Sequence, residues 1–87
     1  MERLCISSLV VRANPADMPR VRSAIEAIAD AEVMGESDEG KFVIVLDTQN
    51  RRIAADRITA IQNTDGVLSA SLIYQFDDHE SRVEESS

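Results

Sequence analysis

The chain has 87 residues and a formal net charge of −7, with 44% apolar and 29% charged residues. This length suits one domain with one modest core and excludes a deep catalytic cleft between two domains. The acidic charge and the three aromatic residues argue against nucleic-acid binding, which needs clustered cations. Because we find neither an export signal nor an apolar run that could span a bilayer, we expect a cytoplasmic protein.

The first half of the chain predicts a strand, a helix and a second strand. Residues 4–13 alternate between apolar and mixed side chains, as does a strand that buries one face. Asn14 or Asp17 can cap the helix that follows, and Pro15 is tolerated in its first turn. Residues 31–36 predict a weaker strand. The helix has one apolar stripe with spacings of three and four residues, formed by Met18, Val21, Ile25 and Ile28.

The third predicted strand is apolar on both of its faces. Five consecutive apolar residues run from Phe42 to Leu46, after a turn at residues 37–40 that makes a hairpin with the second strand. We assign Phe42, Ile44 and Leu46 to the helix side. The opposite face of this strand then needs cover from another part of the chain or from a partner.

The second half of the chain predicts a helix, a strand and a tail. Asn50 can cap a helix that ends near Gly66, and residues 67–76 form the last strand. We expect Ala70, Leu72 and Tyr74 to face the helices, with Ser69, Ser71, Ile73 and Gln75 facing outward. Residues 1–76 are therefore the predicted domain, and the acidic residues 77–87 are a predicted disordered tail.

The element order β-α-β-β-α-β predicts an α+β fold. Two right-handed split β-α-β units form a four-stranded antiparallel sheet with two helices on one face, which is the ferredoxin-like arrangement. In this arrangement the first and third strands are central. The outer face of the sheet is then left without cover.

Side chains typical of catalytic and metal-binding sites are scarce in this sequence. The only histidine, His79, lies in the predicted tail, and Cys5 is the only cysteine. A Cys-x-x-Cys pair and a glycine-rich phosphate loop are both missing from the sequence. We therefore predict no catalytic residue, no metal site, no cofactor and no enzymatic activity.

The outer face collects an apolar patch with charged margins, which is more typical of a binding site than of an ordinary surface. The predicted apolar contacts are Ile6, Val10, Met34, Val43, Val45 and Ile73. The predicted acidic contacts, which suit a basic partner, are Glu32, Glu36 and Asp47. These residues leave open whether a partner binds here or a homodimer closes the face, sheet against sheet.

The chain resembles the NapD family of periplasmic nitrate reductase assembly chaperones in the order and spacing of four segments. These segments are residues 8–11, 32–33, 40–46 and 66–74. One departure is Ala29-Asp30, where the family typically has Pro-Gly before the second strand. The resemblance implies a chaperone that binds the twin-arginine signal peptide of the catalytic subunit, NapA. Export would then be held back until the molybdenum cofactor is inserted. On this reading the outer-face acids pair with the peptide arginines, and the protein is expected to be a monomer.

Two alternatives come from other functional classes. The first is a regulatory domain of the same fold that senses a small molecule as a homodimer. The second is an acylphosphatase-like hydrolase, which would need an anion-binding loop after the first strand. Residues 13–17 contain no cation and end in Asp17, so the hydrolase is the weaker alternative.

Overall fold

The structure, a computed structural model, describes residues 4–77. Its helices and strands follow the predicted order. They are β1 (Cys5–Ala13), a 3-10 turn (Pro15–Asp17), α1 (Met18–Glu26), β2 (Ala31–Ser37), β3 (Lys41–Thr48), α2 (Arg51–Gln62) and β4 (Val67–Asp77). The strands form one antiparallel sheet in the order β2-β3-β1-β4. The predicted ferredoxin-like fold, with β1 and β3 central, is confirmed.

The core lies between the helices and one face of the sheet. On β3, Phe42, Ile44 and Leu46 are fully buried, as the sequence predicted. From α1, Val21 and Ile25 pack against them and are also fully buried. The remaining core members are Leu9, Val11, Ala13, Met18 and Ile61. Burial therefore alternates along the two central strands, and this alternation fixes which face of each strand meets the helices.

Of the predicted helix caps, Asn50 caps α2 as expected, whereas Asn14 caps the 3-10 turn that precedes α1. Asn50 Oδ1 accepts a hydrogen bond from the backbone N–H of Ile53 at 2.8 Å, which satisfies one of the free donors at the start of α2. Asn14 Oδ1 accepts from the N–H of Ala16 at 3.3 Å, at the start of the 3-10 turn. Asp17 is at the N-cap position of α1 without a side-chain capping bond.

The turn before β2 is built around Asp30. Its φ of 70° lies in the left-handed region, which aspartate tolerates better than most residues. The Asp30 carbonyl accepts from the N–H of Asp47 at 3.1 Å, and its carboxylate lies 3.3 Å from Arg57 Nε. Asp30 can therefore make this turn in a chain that lacks the Pro-Gly pair.

A bulge in β2 changes the face on which its second half lies. Val33 is opposite Ile44 and Gly35 is opposite Val43, so Met34 between them has no partner on β3. One extra residue reverses the alternation for every residue beyond it. Glu36 consequently pairs with Phe42 on the helix side, and its predicted position on the outer face is wrong.

Strand β4 contains a similar irregularity at Ile73, which has no partner on β1. Beyond it, Tyr74 is opposite Ser8, which does not belong to the helix-side set. Gln75 instead lies on the helix side and donates from Nε2 to Ser7 Oγ at 3.0 Å. The predicted faces of Tyr74 and Gln75 are therefore both wrong, for the same reason as that of Glu36.

The end of the predicted domain falls at the limit of the described residues. Asp77 is the last residue of β4 and lies opposite Cys5, so it belongs to the sheet. The predicted disorder of the rest of the tail, and His79 within it, lie outside the described residues. Across 4–77, no helix is both long and apolar enough to cross a membrane.

Gly40 is the glycine whose substitution should affect stability most. Its φ is 100°, and a Cβ there would collide with the backbone carbonyl oxygen of Ala13. Gly40→Ala is expected to lower the free energy of unfolding by about 3 kcal/mol, because backbone strain and overpacking add. The control is Gly35→Ala, where a Cβ meets nothing within 4 Å. Urea denaturation of both variants checks this; equal stabilities would contradict it.

Candidate functional site

The face of the sheet away from the helices, called the open face here, is organised in four rows across the strands. Residues directly opposite one another in a sheet share a face, so the register defines each row. The first row holds Asp47, Ile6 and Phe76; the second Glu32, Val45, Ser8 and Tyr74; the third Gly35, Val43, Val10 and Ser71; the fourth Ser37, Lys41, Arg12 and Ser69.

The middle of the open face is apolar. Val45 and Val43 lie on β3, and Ile6 and Val10 lie beside them on β1, so these four predicted contacts are on one surface. Val43 is 41% exposed, whereas Val45, Ile6 and Val10 are half-buried. The structure therefore brings together the central part of the predicted apolar patch.

The two remaining predicted apolar contacts lie on the edge strands. Met34 on β2 is 58% exposed and Ile73 on β4 is 59% exposed. Each of them is a residue without a partner at a bulge in its strand. The register therefore assigns neither side chain to a row. They lie on opposite edges of the sheet, one beyond each side of the central patch.

Two aromatic side chains that sequence reasoning missed belong to the open face. Tyr74 is 55% exposed and Phe76 is 45% exposed, in the second and first rows. The sequence did contain a signal for them. Leu72 and Ile73 are adjacent apolar residues inside an otherwise alternating strand, and such a pair marks a place where the alternation can change phase.

Two of the three predicted acidic contacts lie at one end of the open face. Glu32 is opposite Val45, and Asp47 is opposite Ile6, so both belong to the first two rows. Glu36 is on the other side of the sheet, where its Oε1 lies 2.8 Å from Arg22 Nη1 of α1. Glu26 and then Glu36 raise the pKa of the Arg22 guanidinium, through hydrogen bonds and attraction between opposite charges.

Two cations lie at the other end of the open face, and the sequence had not singled them out. Arg12 and Lys41 are directly opposite each other in the fourth row. Within 4–77, neither of them forms an ion pair, and neither do Glu32 and Asp47. The open face thus has an acidic end and a basic end, with the apolar patch between them.

A polar pocket adjoins the acidic end. Asp47 belongs both to the first row and to the wall of this pocket, and the Asp30–Arg57 ion pair forms another part of the wall. The other lining residues are Leu4, Thr48, Gln49 and Ile53. The acidic end is therefore continuous with a second group of polar side chains beyond the sheet.

The open face presents groups suited to non-covalent contacts. In the described part of the chain, no three His, Cys, Asp or Glu side chains lie close enough to hold a metal ion. The Cys5 side chain is fully buried on the helix side. What the open face offers is apolar area, two aromatic rings and two separated pairs of charges.

Comparisons with known proteins agree on one family. The family model described as NapD protein matches residues 4–79. The Chaperone NapD of Haemophilus influenzae is 26% identical over 78 residues, covering 88% of this chain and 84% of that protein. The Chaperone NapD of Escherichia coli K12 is 26% identical over 70 residues, covering 79% and 80%.

The fold also matches a solved structure. The solution structure of the E. coli Tat proofreading chaperone protein NapD aligns with a TM-score of 0.79 at 23% identity. The alignment covers 88% of this chain and 82% of that chain. The shared fold therefore extends over nearly the whole of both proteins.

Proposed function

Because the chain belongs to the NapD family, we propose that it is a cytoplasmic chaperone for the precursor of the nitrate reductase subunit NapA. It binds the twin-arginine signal peptide of NapA and delays export until the cofactor is inserted. The relatives described above are named chaperones, and the E. coli NapD structure is described as a Tat proofreading chaperone. These names support a role in binding and proofreading rather than in catalysis.

The observation that carries the proposal is the apolar open face with acids at one end. A twin-arginine signal has a basic start followed by an apolar stretch. As an amphipathic helix, it can lay its apolar side along a hydrophobic surface while its arginines reach acids at the margin. The charges and the apolar area of the open face complement both parts of such a peptide.

The apolar contact is centred on Val43, Val45 and Val10, with Ile6 beside them. Tyr74 and Phe76 extend it towards β4, and Met34 and Ile73 lie at its two sides. If the peptide removes about 400 Å² of apolar area from water, the gain is roughly 10 kcal/mol. Since association costs an estimated ~4–15 kcal/mol, tight binding also needs the charges.

Glu32 and Asp47 are the proposed partners of the two arginines. A carboxylate can accept two parallel hydrogen bonds from one guanidinium, which makes this pairing stronger and more specific than a pairing with lysine. Neither acid has an ion-pair partner elsewhere in residues 4–77, so both carboxylates are available to the peptide. Glu36, which pairs with Arg22, is not part of the proposed site.

Calorimetric titration of the purified protein with a synthetic NapA signal peptide tests the proposal. The expected result is saturable binding, weakened in a control peptide whose two arginines are replaced by glutamine. Sedimentation of the free protein should show a monomer, with the open face unoccupied by a second copy. Absence of saturable binding by the folded protein would overturn the proposal and return attention to the homodimer.

A further inference from the structure

The acidic and basic side chains lie at opposite ends of the open face, so a peptide whose two ends differ in charge can distinguish those ends. We infer that the signal peptide binds in one direction, with its arginines over the first and second rows and its C-terminal end over the fourth row. The inference rests on the proposed function and adds an orientation to it. It depends on four charges, Glu32 and Asp47 at one end and Arg12 and Lys41 at the other.

The end assigned to the arginines contains more than carboxylates. The first two rows hold both acids, on β2 and β3, and both aromatic rings, Tyr74 and Phe76 on β4. A guanidinium binds a carboxylate through paired hydrogen bonds and also stacks on an aromatic ring. Because β2 and β4 are about 14 Å apart across four strands, acids and rings can engage two neighbouring arginines at once.

The opposite end of the open face disfavours arginines. Arg12 and Lys41 are directly opposed, and like charges in that position repel each other. No carboxylate within 4–77 pairs with either of them. A helix C-terminus carries about half a negative charge, so the C-terminal end of a helical peptide relieves this repulsion. A reversed peptide would place its arginines against these cations.

The length of the open face matches this arrangement. Asp47 and Lys41 are six residues apart on β3, which corresponds to about 20 Å along a strand. About 13 residues of α-helix span the same distance. An arginine and a residue some 13 positions after it can therefore lie over the two ends at the same time.

Paramagnetic labelling of the peptide tests the direction. One signal peptide carries a nitroxide beside the arginines, and a second carries it about 13 residues downstream. The first label should reduce the amide NMR intensities of Glu32 and Asp47 in the bound protein, and the second should reduce those of Arg12 and Lys41. Diamagnetic versions of the same labels provide the reference intensities.

The outcomes separate the direction from the proposed function. Saturable binding with the reverse pattern, or with equal intensity loss at both ends, overturns the inferred direction and leaves the signal-peptide function standing. Absence of saturable binding overturns the proposed function and the direction with it. Intensity loss confined to residues outside the open face overturns the site.

A charge-swapped variant tests whether the four charges cause the direction. It combines Glu32→Lys and Asp47→Lys with Arg12→Glu and Lys41→Glu, so that the net charge is unchanged. All four side chains are exposed or half-buried, so the core is not altered. The label pattern is expected to reverse; an unchanged pattern in the folded variant would overturn the charges as its cause. If the variant does not fold, the pattern of the natural chain decides the direction by itself.

Discussion

Val45→Glu is expected to weaken signal-peptide binding by roughly 100-fold, equivalent to about 3 kcal/mol. Val45 lies in the second row between Glu32 and Ser8, in the middle of the open face. A carboxylate there would lose water beneath the peptide, and it would lie directly opposite the Glu32 carboxylate, which it would repel and whose pairing with a peptide arginine it would disturb. The fold should persist, because the new side chain points away from the helices.

Ala55→Glu is the matched control for this variant. Ala55 is exposed on α2, so the substitution adds the same charge and the same side chain away from the open face. Calorimetry should give Ala55→Glu the same affinity for the signal peptide as the unsubstituted protein. Circular dichroism should show that both variants are folded. Unchanged affinity in Val45→Glu would contradict the proposed site. If this variant does not fold, Val43→Glu, at a more exposed position in the third row, takes its place in the test.

Combined reversal of Glu32 and Asp47 to lysine is expected to weaken binding by about 4–850-fold at low ionic strength. Each exposed ion pair contributes about 0.2–1 kcal/mol, and each reversal replaces that attraction by a repulsion of similar size. The loss should shrink as salt is added, because exposed charges are screened within about 10 Å at 0.1 M. Calorimetric titrations at several salt concentrations measure both the loss and its salt dependence.

A single reversal on α2 provides the control for net charge. Asp47→Lys and Asp56→Lys change the charge of the protein by the same amount, but Asp56 is exposed on a helix on the other side of the sheet. Only Asp47→Lys should weaken binding appreciably. Equal losses in the two variants would mean that total charge attracts the peptide and that Asp47 makes no specific contact.

The central strands were predictable because no bulge interrupts the pairing of β1 with β3. Phe42, Ile44 and Leu46 all lie on the helix side, and Val43 and Val45 on the open face, as period-two patterning required. Lys41 and Asp47, the charged ends of the Val43 and Val45 register, distinguish the open face of β3 from its apolar helix side. The element order and the strand positions in the sheet followed from the same patterns.

The edge strands were less predictable because they carry extra residues, one in β2 at Met34 and two in β4 at Leu68 and Ile73. The adjacent apolar residues Leu72 and Ile73 indicate where the alternation can change, but which residue of a strand has no partner depends on how the neighbouring strand is paired. Glu36 and Tyr74 were therefore assigned to the wrong faces. The opposition of Arg12 and Lys41 was also not predicted, because it depends on the register between β1 and β3, which follows from the assembled sheet.

Ile73 has no partner on β1, and its presence determines which face of the sheet each later residue of β4 occupies. A relative with the same number of residues but a regular strand here would turn the residues aligned with Tyr74 and Phe76 towards the helices, although an alignment would show no gap. A one-residue deletion at Ile73 would instead make the pairing regular and leave Tyr74 opposite Ser8 on the open face. Residue identity at an aligned position in β4 is thus a poor guide to peptide recognition unless the pairing of β4 with β1 is also the same.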